Sequence, residues 1–363
     1  MDVRPENVPG SGDGRAESPG WSWRMVTAIA RGRAALAPLG PPPPRRGAIV
    51  VGGAARPDLV RAALRLTGKA VPPAFCRISE GEGMTLVEET LSRSRRHVVG
   101  ATPVVVLESR QRRWAAPIAR RRLGHLRWMP EETGDGSAVM AALVEIMAQA
   151  PDSIIMVHPA LQMVANEAGF GAAIEEGFRR ATLGGEVVAL GAPPPEVTGR
   201  DDYLVSFSSA RSDQPRWRLV RDPSRAVRTR WTAAAAAAYA FTGVVVGSGR
   251  ALLAEFEAAA PRLLRLVLEG AALGAPRLDT LTAAAVRGHC PLDFARNVLA
   301  FDPVLGVVVA GPSVGWLGLD NAARLATGRA RRRSVRCAYG VSGASYRRRY
   351  APGDHPEPSP QMC

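Results

Sequence analysis

Residues 48–53, Ala-Ile-Val-Val-Gly-Gly, open the regular part of the chain and indicate its fold class. A short run of small and β-branched apolar residues that ends in two glycines is typical of a buried strand leading into a tight loop. Similar apolar runs occupy residues 104–107, 154–157 and 187–190, and each predicts a further buried strand.

The segments between these runs have helical periodicity. Apolar residues recur three or four positions apart within residues 59–66, 84–91, 139–147 and 170–178. Strands that alternate with helices of this length predict an α/β fold with a mostly parallel sheet and helices on both faces. After about residue 205 the alternation loosens into a smaller C-terminal α+β part. There we predict strands at 217–220, 244–246 and 305–310, an alanine-rich helix at 232–240, and helices between 251 and 300.

The two ends of the chain have a different composition from the middle. Residues 1–46 are rich in glycine, proline and scattered charge, which predicts a disordered extension with at most one short helix at 23–36. Whether this extension belongs to the protein is left open. We predict a folded domain at 47–327 and a basic, disordered tail at 328–363.

The net charge of +14 belongs mainly to the ends, because nine arginines and no acidic residue lie between Arg324 and Tyr350. Binding of nucleic acid through this tail is the weakest of three functional hypotheses, since no recognisable nucleic-acid-binding fold accompanies it. Four widely spaced cysteines without a CxxC pair do not suggest a zinc site. We find no segment apolar enough to span a membrane and no signal peptide, and we predict a cytoplasmic protein without membrane contact.

Several motifs occur in a characteristic order. Ile-Val-Val-Gly-Gly at 49–53 is followed by Pro-Pro-Ala-Phe-Cys at 72–76, Thr-Leu-Val-Glu-Glu-Thr-Leu at 85–91 and Met-Pro-Glu-Glu-Thr-Gly-Asp at 129–135. Further pieces lie at 154–164, 220–223, 293–299 and 314–316. Together they resemble the mannose-1-phosphate guanylyltransferase family of sugar-1-phosphate nucleotidyltransferases, across roughly residues 47–325.

The resemblance implies a Rossmann-like nucleotidyltransferase fold and a reaction in which a sugar 1-phosphate attacks GTP, giving GDP-mannose and pyrophosphate. The implied ligands are GTP or another nucleoside triphosphate and a sugar 1-phosphate, with Mg²⁺ as cofactor if the protein is active. A homo-oligomer or an active paralogue is a further implied partner. The matching motifs make Gly52, Gly53, Arg56 and Gly134 the candidate nucleotide-binding residues.

The same alignment shows where the chain departs from the family. The phosphate-binding lysine of the family aligns with Pro73, and Lys69 is the only lysine in the chain. The two aspartates that hold Mg²⁺ align with Leu161 and Gly318, although Asp320 lies two residues beyond the second position. Substitutions in the base and sugar motifs include Glu132, Asp201, Asp202, Arg221, Asp222 and Phe241.

Two readings of these losses stay open. In the first, the protein still makes a nucleotide sugar with metal ligands that the sequence does not identify. In the second, it keeps the fold and serves as a non-catalytic nucleotide or sugar-phosphate binder or a regulatory scaffold. Because Leu161, Gly318 and Pro73 lack the required carboxylates and charge, they favour the second reading. We therefore assign no catalytic residue and no metal ligand.

Overall fold

The structure is a computed structural model. It describes residues 21–33, 45–54, 56–78, 83–131, 133–195, 201–209, 212–224, 226–228, 231, 237–274, 291–301 and 305–339.

The described residues alternate between strands and helices through most of the chain. The strands are β1 (Arg46–Val51), β2 (Val104–Glu108), β3 (His125–Met129), β4 (Ile154–Pro159), β5 (Gln162–Met163), β6 (Val188–Ala192), β7 (Tyr203–Ser209), β8 (Ser212–Val220), β9 (Ala238–Ser248), β10 (Gly306–Val309) and β11 (Leu317–Gly318). The α-helices are α1 (Trp21–Arg33), α2 (Pro57–Thr67), α3 (Leu86–His97), α4 (Ala116–Arg120), α5 (Asp135–Gln149), α6 (Glu167–Gly184), α7 (Gly249–Ala259), α8 (Pro261–Ala272) and α9 (Ala322–Tyr339).

One large sheet organises the molecule, with the strand order β10-β6-β9-β4-β1-β2-β3. Neighbouring strands are parallel except β9, which runs antiparallel to both β4 and β6. Strands β7 and β8 extend the sheet beside β9, and β5 and β11 form a separate antiparallel pair. The predicted α/β class with a mostly parallel sheet is confirmed, and the C-terminal strands β9 and β10 belong to the same sheet as the N-terminal ones.

Strand β1 shows why the sheet is covered on both faces. Its side chains alternate between the two faces, as the twofold periodicity of a strand requires. Ile49 and Val51 pack in the core that contains α1, α5, α7 and α8. Ala48 packs towards α6, and Val50 packs towards α3. Since both faces are buried, the strand is apolar throughout rather than alternating with polar residues.

The motif at 85–91 is the start of helix α3. The Thr85 side chain accepts a hydrogen bond from the Glu88 backbone N–H, and the Glu88 carboxylate accepts one from the Thr85 backbone N–H. This reciprocal capping box satisfies two amides that the first turn of a helix leaves unpaired. Starting helix α3 is therefore a sufficient structural reason for Thr85 and Glu88 in this motif.

The structure shows helices beyond both ends of the predicted domain 47–327. Residues 21–33 form α1, whose Val26 is fully buried in the main core, and Ser22 Oγ donates to Glu257 Oε2 at 2.5 Å. At the other end α9 continues past residue 327 to Tyr339, and Gly328 lies against Leu319. The short helix predicted at 23–36 is present as α1, whereas its packing on the core was not predicted, because contacts with distant residues are not encoded in local sequence. The remaining residues of both segments, 1–20, 34–44 and 340–363, lie outside the described residues.

Local predictions in the C-terminal half have mixed outcomes. Helices α7 and α8 and strand β10 confirm the predicted elements, whereas residues 238–240 of the predicted alanine-rich helix belong to strand β9. Residues 232–236 of that helix lie outside the described residues, as do residues 275–290 of the predicted helical region. Strands β3 and β7 were not predicted, because their alternating polar residues resemble loops more than buried strands.

Candidate functional site

The glycine loop, residues 52–54, lies at the carboxyl end of β1. Strand β1 is flanked by β2 on one side and β4 on the other, and the chain visits β2 first, so the strand order reverses at this point. Parallel sheets bind ligands in the crevice at such reversals. Gly53 has a φ of 72°, and a Cβ at this position would lie 3.2 Å from Leu161 Cδ1. The loop that follows β4 therefore lies directly against the glycine loop.

Part of the hydrogen-bonding capacity of the glycine loop is already used within the protein. The Gly52 N–H donates to the Val106 carbonyl at 3.0 Å, and the Gly53 carbonyl accepts from Gln111 Nε2 at 3.0 Å. Gln111 is fully buried. Because the Gly52 N–H is bonded to β2, it is not available to donate to a phosphate in the crevice.

Arg56 precedes α2 and is held by its neighbours. Its guanidinium pairs with Asp58 at 2.6 Å and donates to the Asp320 backbone carbonyl at 3.3 Å. The hydrogen bond from Arg56 lowers the pKa of the Asp58 carboxyl. Asp58 lies in the first turn of α2, where the helix dipole favours a negative charge. The Asp58 carboxylate therefore occupies the place that a bound phosphate would take beside Arg56 and the start of α2.

The positions aligned with the metal-binding aspartates of the family meet in space. Strands β5 and β11 pair Gly318 with Gln162, and the Leu319 N–H donates to the Leu161 carbonyl at 2.8 Å. Trp316 Nε1 donates to Gln162 Oε1 at 2.8 Å in the buried interior. The structure therefore brings residues 161 and 318 together beside the glycine loop, and neither residue carries a carboxylate.

Asp320 is the nearest carboxylate in sequence to Gly318, and it belongs to a different interaction. Arg324 Nη1 lies 3.2 Å from Asp320 Oδ1, and the Arg324 guanidinium also binds both oxygens of Asp201 at 2.5 and 2.6 Å. Partial burial and the charge of Asp201 raise the pKa of Asp320, while Arg324 acts in the opposite direction. The ion pair with Arg324 therefore explains the position of the Asp320 carboxylate.

Gly134 lies at the start of α5, where the chain from residue 291 crosses it. Its φ is 79° and its ψ is 153°. A Cβ on Gly134 would lie 2.7 Å from both the backbone nitrogen and the carbonyl carbon of Leu292. The Leu292 carbonyl also accepts the Gly136 N–H at 2.8 Å. Close packing against the Leu292 backbone therefore explains why residue 134 is a glycine. Its role in binding a nucleotide stays a prediction.

A carboxylate cluster that sequence reasoning did not assemble lies near Gly134. Arg221 Nη1 binds both oxygens of Asp293 at 3.0 and 3.1 Å, and Arg221 Nε lies 3.4 Å from Asp202 Oδ1. Burial and the charge of Asp293 raise the pKa of Asp135 to about 6. Burial raises the pKa of Asp202, while Arg221 acts in the opposite direction. Asp202 and Arg221 are both departures from the sugar motifs, so the altered positions cluster in space.

Comparison of the sequence with family models and with curated proteins gives no match. Solved structures do match. The mannose-1-phosphate geranyltransferase from Thermus thermophilus aligns with a TM-score of 0.60 and 20% identity over 75% of each chain. The mannose-6-phosphate isomerase from Helicobacter pylori aligns with a TM-score of 0.55 and 13% identity, covering 75% of this chain and 99% of its own.

The chain shares the α/β fold of these two structures, with a large, mostly parallel sheet covered by helices. The expectation drawn from the sequence motifs is thereby confirmed at the level of architecture. In this fold, the glycine loop after β1 and the loop after β4 form the crevice described above. At these identities the likeness extends to the fold alone, so it assigns neither an activity nor a ligand to this chain.

The residues at this crevice do not fit a Mg²⁺ ion. Magnesium requires oxygen ligands in near-octahedral geometry, usually including one or two carboxylates. Leu161 and Gly318 supply no side-chain oxygen, and no group of three potential ligands among His, Cys, Asp and Glu exists among the described residues. The lysine position fits no better, because Pro73 is buried in a short 3₁₀ turn and Lys69 is exposed at the end of α2. We derive no metal-dependent step.

The helices of the described residues bear on the predicted lack of membrane contact. None of them is long and apolar enough to cross a bilayer. A cytoplasmic location, an oligomeric partner and the exclusion of nucleic acid stay predictions.

His158 of β4 lies in a buried network with side chains of α3. Its Nδ1 lies 3.1 Å from Ser94 Oγ and its Nε2 lies 3.4 Å from Arg93 Nη1, and both His158 and Arg93 are fully buried. Arg93 forms a bidentate pair with Glu167 at 2.6 and 2.9 Å. Burial lowers the pKa of His158 well below its usual value, and the positive charge of Arg93 acts in the same direction. The imidazole is therefore neutral in the folded protein.

We expect the free energy of unfolding to fall as the pH drops below about 6.5, the usual pKa of histidine. The unfolded chain takes up a proton at His158 there and the folded chain does not, which favours unfolding. Urea denaturation at about pH 7.5 and about pH 5.5 measures the loss. His158→Gln should reduce this pH dependence, whereas His125→Gln, at a position 61% exposed, should retain it. An unchanged pH dependence in His158→Gln would contradict the assignment.

Proposed function

We propose that this protein binds a nucleotide or sugar phosphate without carrying out metal-dependent nucleotidyl transfer. The observation that carries the proposal is the meeting of Leu161 and Gly318 beside the glycine loop. A sugar 1-phosphate oxygen that attacks a nucleoside triphosphate needs its developing negative charge stabilised, and carboxylate-bound Mg²⁺ is the usual means in this fold by resemblance. At these two positions the chain offers an isobutyl group and a hydrogen atom.

Two features support retained binding. The glycine loop keeps the positive φ of Gly53, and the crevice lies where parallel sheets bind ligands. GTP, mannose 1-phosphate and GDP-mannose are the ligands implied by the sequence resemblance. A regulatory scaffold for an active paralogue is consistent with the same features, because binding alone is then sufficient.

The first experiment is a test for product formation. Purified protein is incubated with Mg²⁺, a nucleoside triphosphate and a panel of sugar 1-phosphates, and mass spectrometry is used to detect any nucleotide sugar. We expect no product, with an active family enzyme as the positive control. Metal-dependent formation of a nucleotide sugar would overturn the proposal and establish mannose-1-phosphate guanylyltransferase-like activity, with GDP-mannose as the expected product, or a related specificity.

The second experiment measures binding with and without Mg²⁺ by isothermal titration calorimetry. We expect GTP or GDP-mannose to bind with an affinity that does not depend on the metal. Gly53→Ala should weaken this binding by about tenfold or more, because the new Cβ meets Leu161 at 3.2 Å and disfavours the loop conformation.

Gly100→Ala is the matched control for Gly53→Ala. Gly100 also has a positive φ, of 80°, but nothing lies within 4 Å of a Cβ there. It follows α3 and precedes β2, at the opposite end of the sheet from the glycine loop. We expect the Gly100→Ala variant to bind GTP or GDP-mannose with the same affinity as the unmodified protein. Equal losses in both variants, or no detectable binding of any of these ligands, would contradict the proposed function.

A further inference from the structure

A second concave surface is lined in part by the short 3₁₀ helix that follows β2. We call it the arginine groove. Its volume is about 600 Å³. It is lined by Val60 of α2, Pro72 of the following loop, and Arg110, Arg112, Arg113 and Trp114 of the 3₁₀ helix Ser109–Trp114. Grooves of this size accommodate small metabolites, and they typically combine apolar walls with a few convergent polar groups.

The three arginines of the groove differ in their charge partners. Arg110 is neutralised by Glu108 at 2.7 Å and by Glu131 at 3.5 Å. Arg112 and Arg113 are exposed, and among the residues that the structure places neither has a carboxylate within ion-pair distance. The groove therefore carries two positive charges that the described part of the protein does not compensate.

Aromatic stacking positions these two guanidinium groups. The Arg113 guanidinium lies 3.8 Å from the centre of the Trp114 ring, and that of Arg112 lies 4.9 Å from the centre of the Trp128 ring. Trp114 in turn stacks on Phe75 with ring centres 6.5 Å apart. A guanidinium stacked on an indole keeps the N–H groups at its edge available, and this planar fork matches two oxygens of a phosphate.

The backbone beneath the arginines is held in place. Gln111 lies between Arg110 and Arg112 in sequence and is fully buried, so it faces inward while they face solvent. Its Oε1 accepts the Glu108 N–H at 3.1 Å, and its Nε2 donates to the Gly53 carbonyl at 3.0 Å. This preorganisation reduces the entropy that a ligand must overcome to order the groove.

We propose that the arginine groove is a second anion site, which binds the phosphate groups of a phosphorylated small molecule such as a nucleotide or a sugar phosphate. The guanidinium groups of Arg112 and Arg113 hold the phosphate oxygens, while Trp114, Pro72 and Val60 cover the uncharged part of the ligand. Lys69, the only lysine in the chain, directly precedes Ala70, which also lines the groove. The groove adjoins the glycine loop through the hydrogen bond from Gln111 to Gly53, but residues 52–54 are not among its lining residues. The proposal does not depend on the proposed function.

The test uses inorganic pyrophosphate and GDP as probes, titrated calorimetrically into the full chain at physiological salt. Arg112→Gln combined with Arg113→Gln should weaken binding of pyrophosphate by about tenfold or more, because charge-assisted hydrogen bonds to both groups are lost. The matched control is Arg95→Gln combined with Arg120→Gln, which removes two exposed positive charges outside the groove. We expect the control to retain the original affinity.

Four outcomes would overturn the proposal. The first is no binding of either probe at millimolar concentration, and the second is an equal loss in both double variants, which would indicate general charge attraction. The third is tighter binding of an acidic peptide than of pyrophosphate at the same sites. The fourth is loss of pyrophosphate binding in Gly53→Ala with retention in the Arg112→Gln, Arg113→Gln variant, which would place the anion at the glycine loop. Retained pyrophosphate binding in Gly53→Ala supports a separate groove site, whatever that variant does to GTP.

Discussion

Gly134→Ala is expected to lower the free energy of unfolding by about 3 kcal/mol or more. The backbone of Gly134, with φ 79° and ψ 153°, lies in a region that residues with a Cβ avoid. The added methyl would also lie 2.7 Å from the Leu292 carbonyl carbon and nitrogen, and these are backbone atoms that cannot rotate away. The segment 291–294 must then separate from the start of α5. Urea denaturation followed by circular dichroism measures the change.

Gly68→Ala is the control that separates conformational strain from steric overlap. Gly68 ends α2 with a φ of 72° and a ψ of 6°, and nothing lies within 4 Å of a Cβ there. Its substitution should cost about 1 kcal/mol, the usual penalty of the left-handed conformation. If Gly134→Ala proved no more destabilising than Gly68→Ala, the close approach to Leu292 would be refuted as the reason for a glycine at this position.

The second large effect is expected at Arg324, where Arg324→Met should destabilise the fold by about 3 to 5 kcal/mol. The Arg324 side chain is 1% exposed and that of Asp201 is 9% exposed, so removing the guanidinium leaves a buried carboxylate without its counter-ion. Asp320 faces the same guanidinium, and the two carboxylates would then repel each other. The loss should be larger at neutral pH than near pH 4, because protonation of Asp320, whose pKa is raised by burial, removes the repulsion between the two carboxylates.

A double-variant cycle tests whether the pair acts as a unit. Asp201→Leu combined with Arg324→Met removes both charges and should be less destabilising than Arg324→Met alone. Arg179→Met is the surface control, since its pair with Glu176 has side chains 58% and 34% exposed, and it should destabilise the fold far less than Arg324→Met. If Arg324→Met lowered the free energy of unfolding as little as Arg179→Met, the buried pair of Arg324 and Asp201 would contribute little to stability.

These two sites bear on function because Gly134 follows Glu132 and Arg324 binds Asp201, and both Glu132 and Asp201 depart from the family pattern. The Arg324 pair accounts for Asp320, the carboxylate nearest in sequence to a lost metal position. The contact at Gly134 accounts for a glycine that the sequence motifs associate with a nucleotide. In each case a residue retained near the crevice has a structural explanation, which agrees with a preserved scaffold around an altered site.

The architecture was largely predictable from the chain itself. Buried parallel strands need continuous apolar residues, and β1, β2, β4 and β6 each show them; the helices between them show the periodicity of one buried face. The absence of carboxylates at residues 161 and 318 was likewise visible once the motifs were aligned. The helix α1 was predicted, but its packing on the domain was not, because that packing depends on contacts with residues distant in sequence.

Composition, periodicity and motif order by themselves determined the α/β class, the position of the glycine loop and the identity of the substituted residues. Only the tertiary structure decided which of these residues meet. Pairing of β5 with β11 brings residues 161 and 318 together, Arg324 reaches Asp201 across 123 positions, and the 3₁₀ helix after β2 aligns Arg112 and Arg113 on one groove. The physical reason is that strand and helix patterns follow from local spacing, whereas contacts between distant residues depend on how the whole core packs.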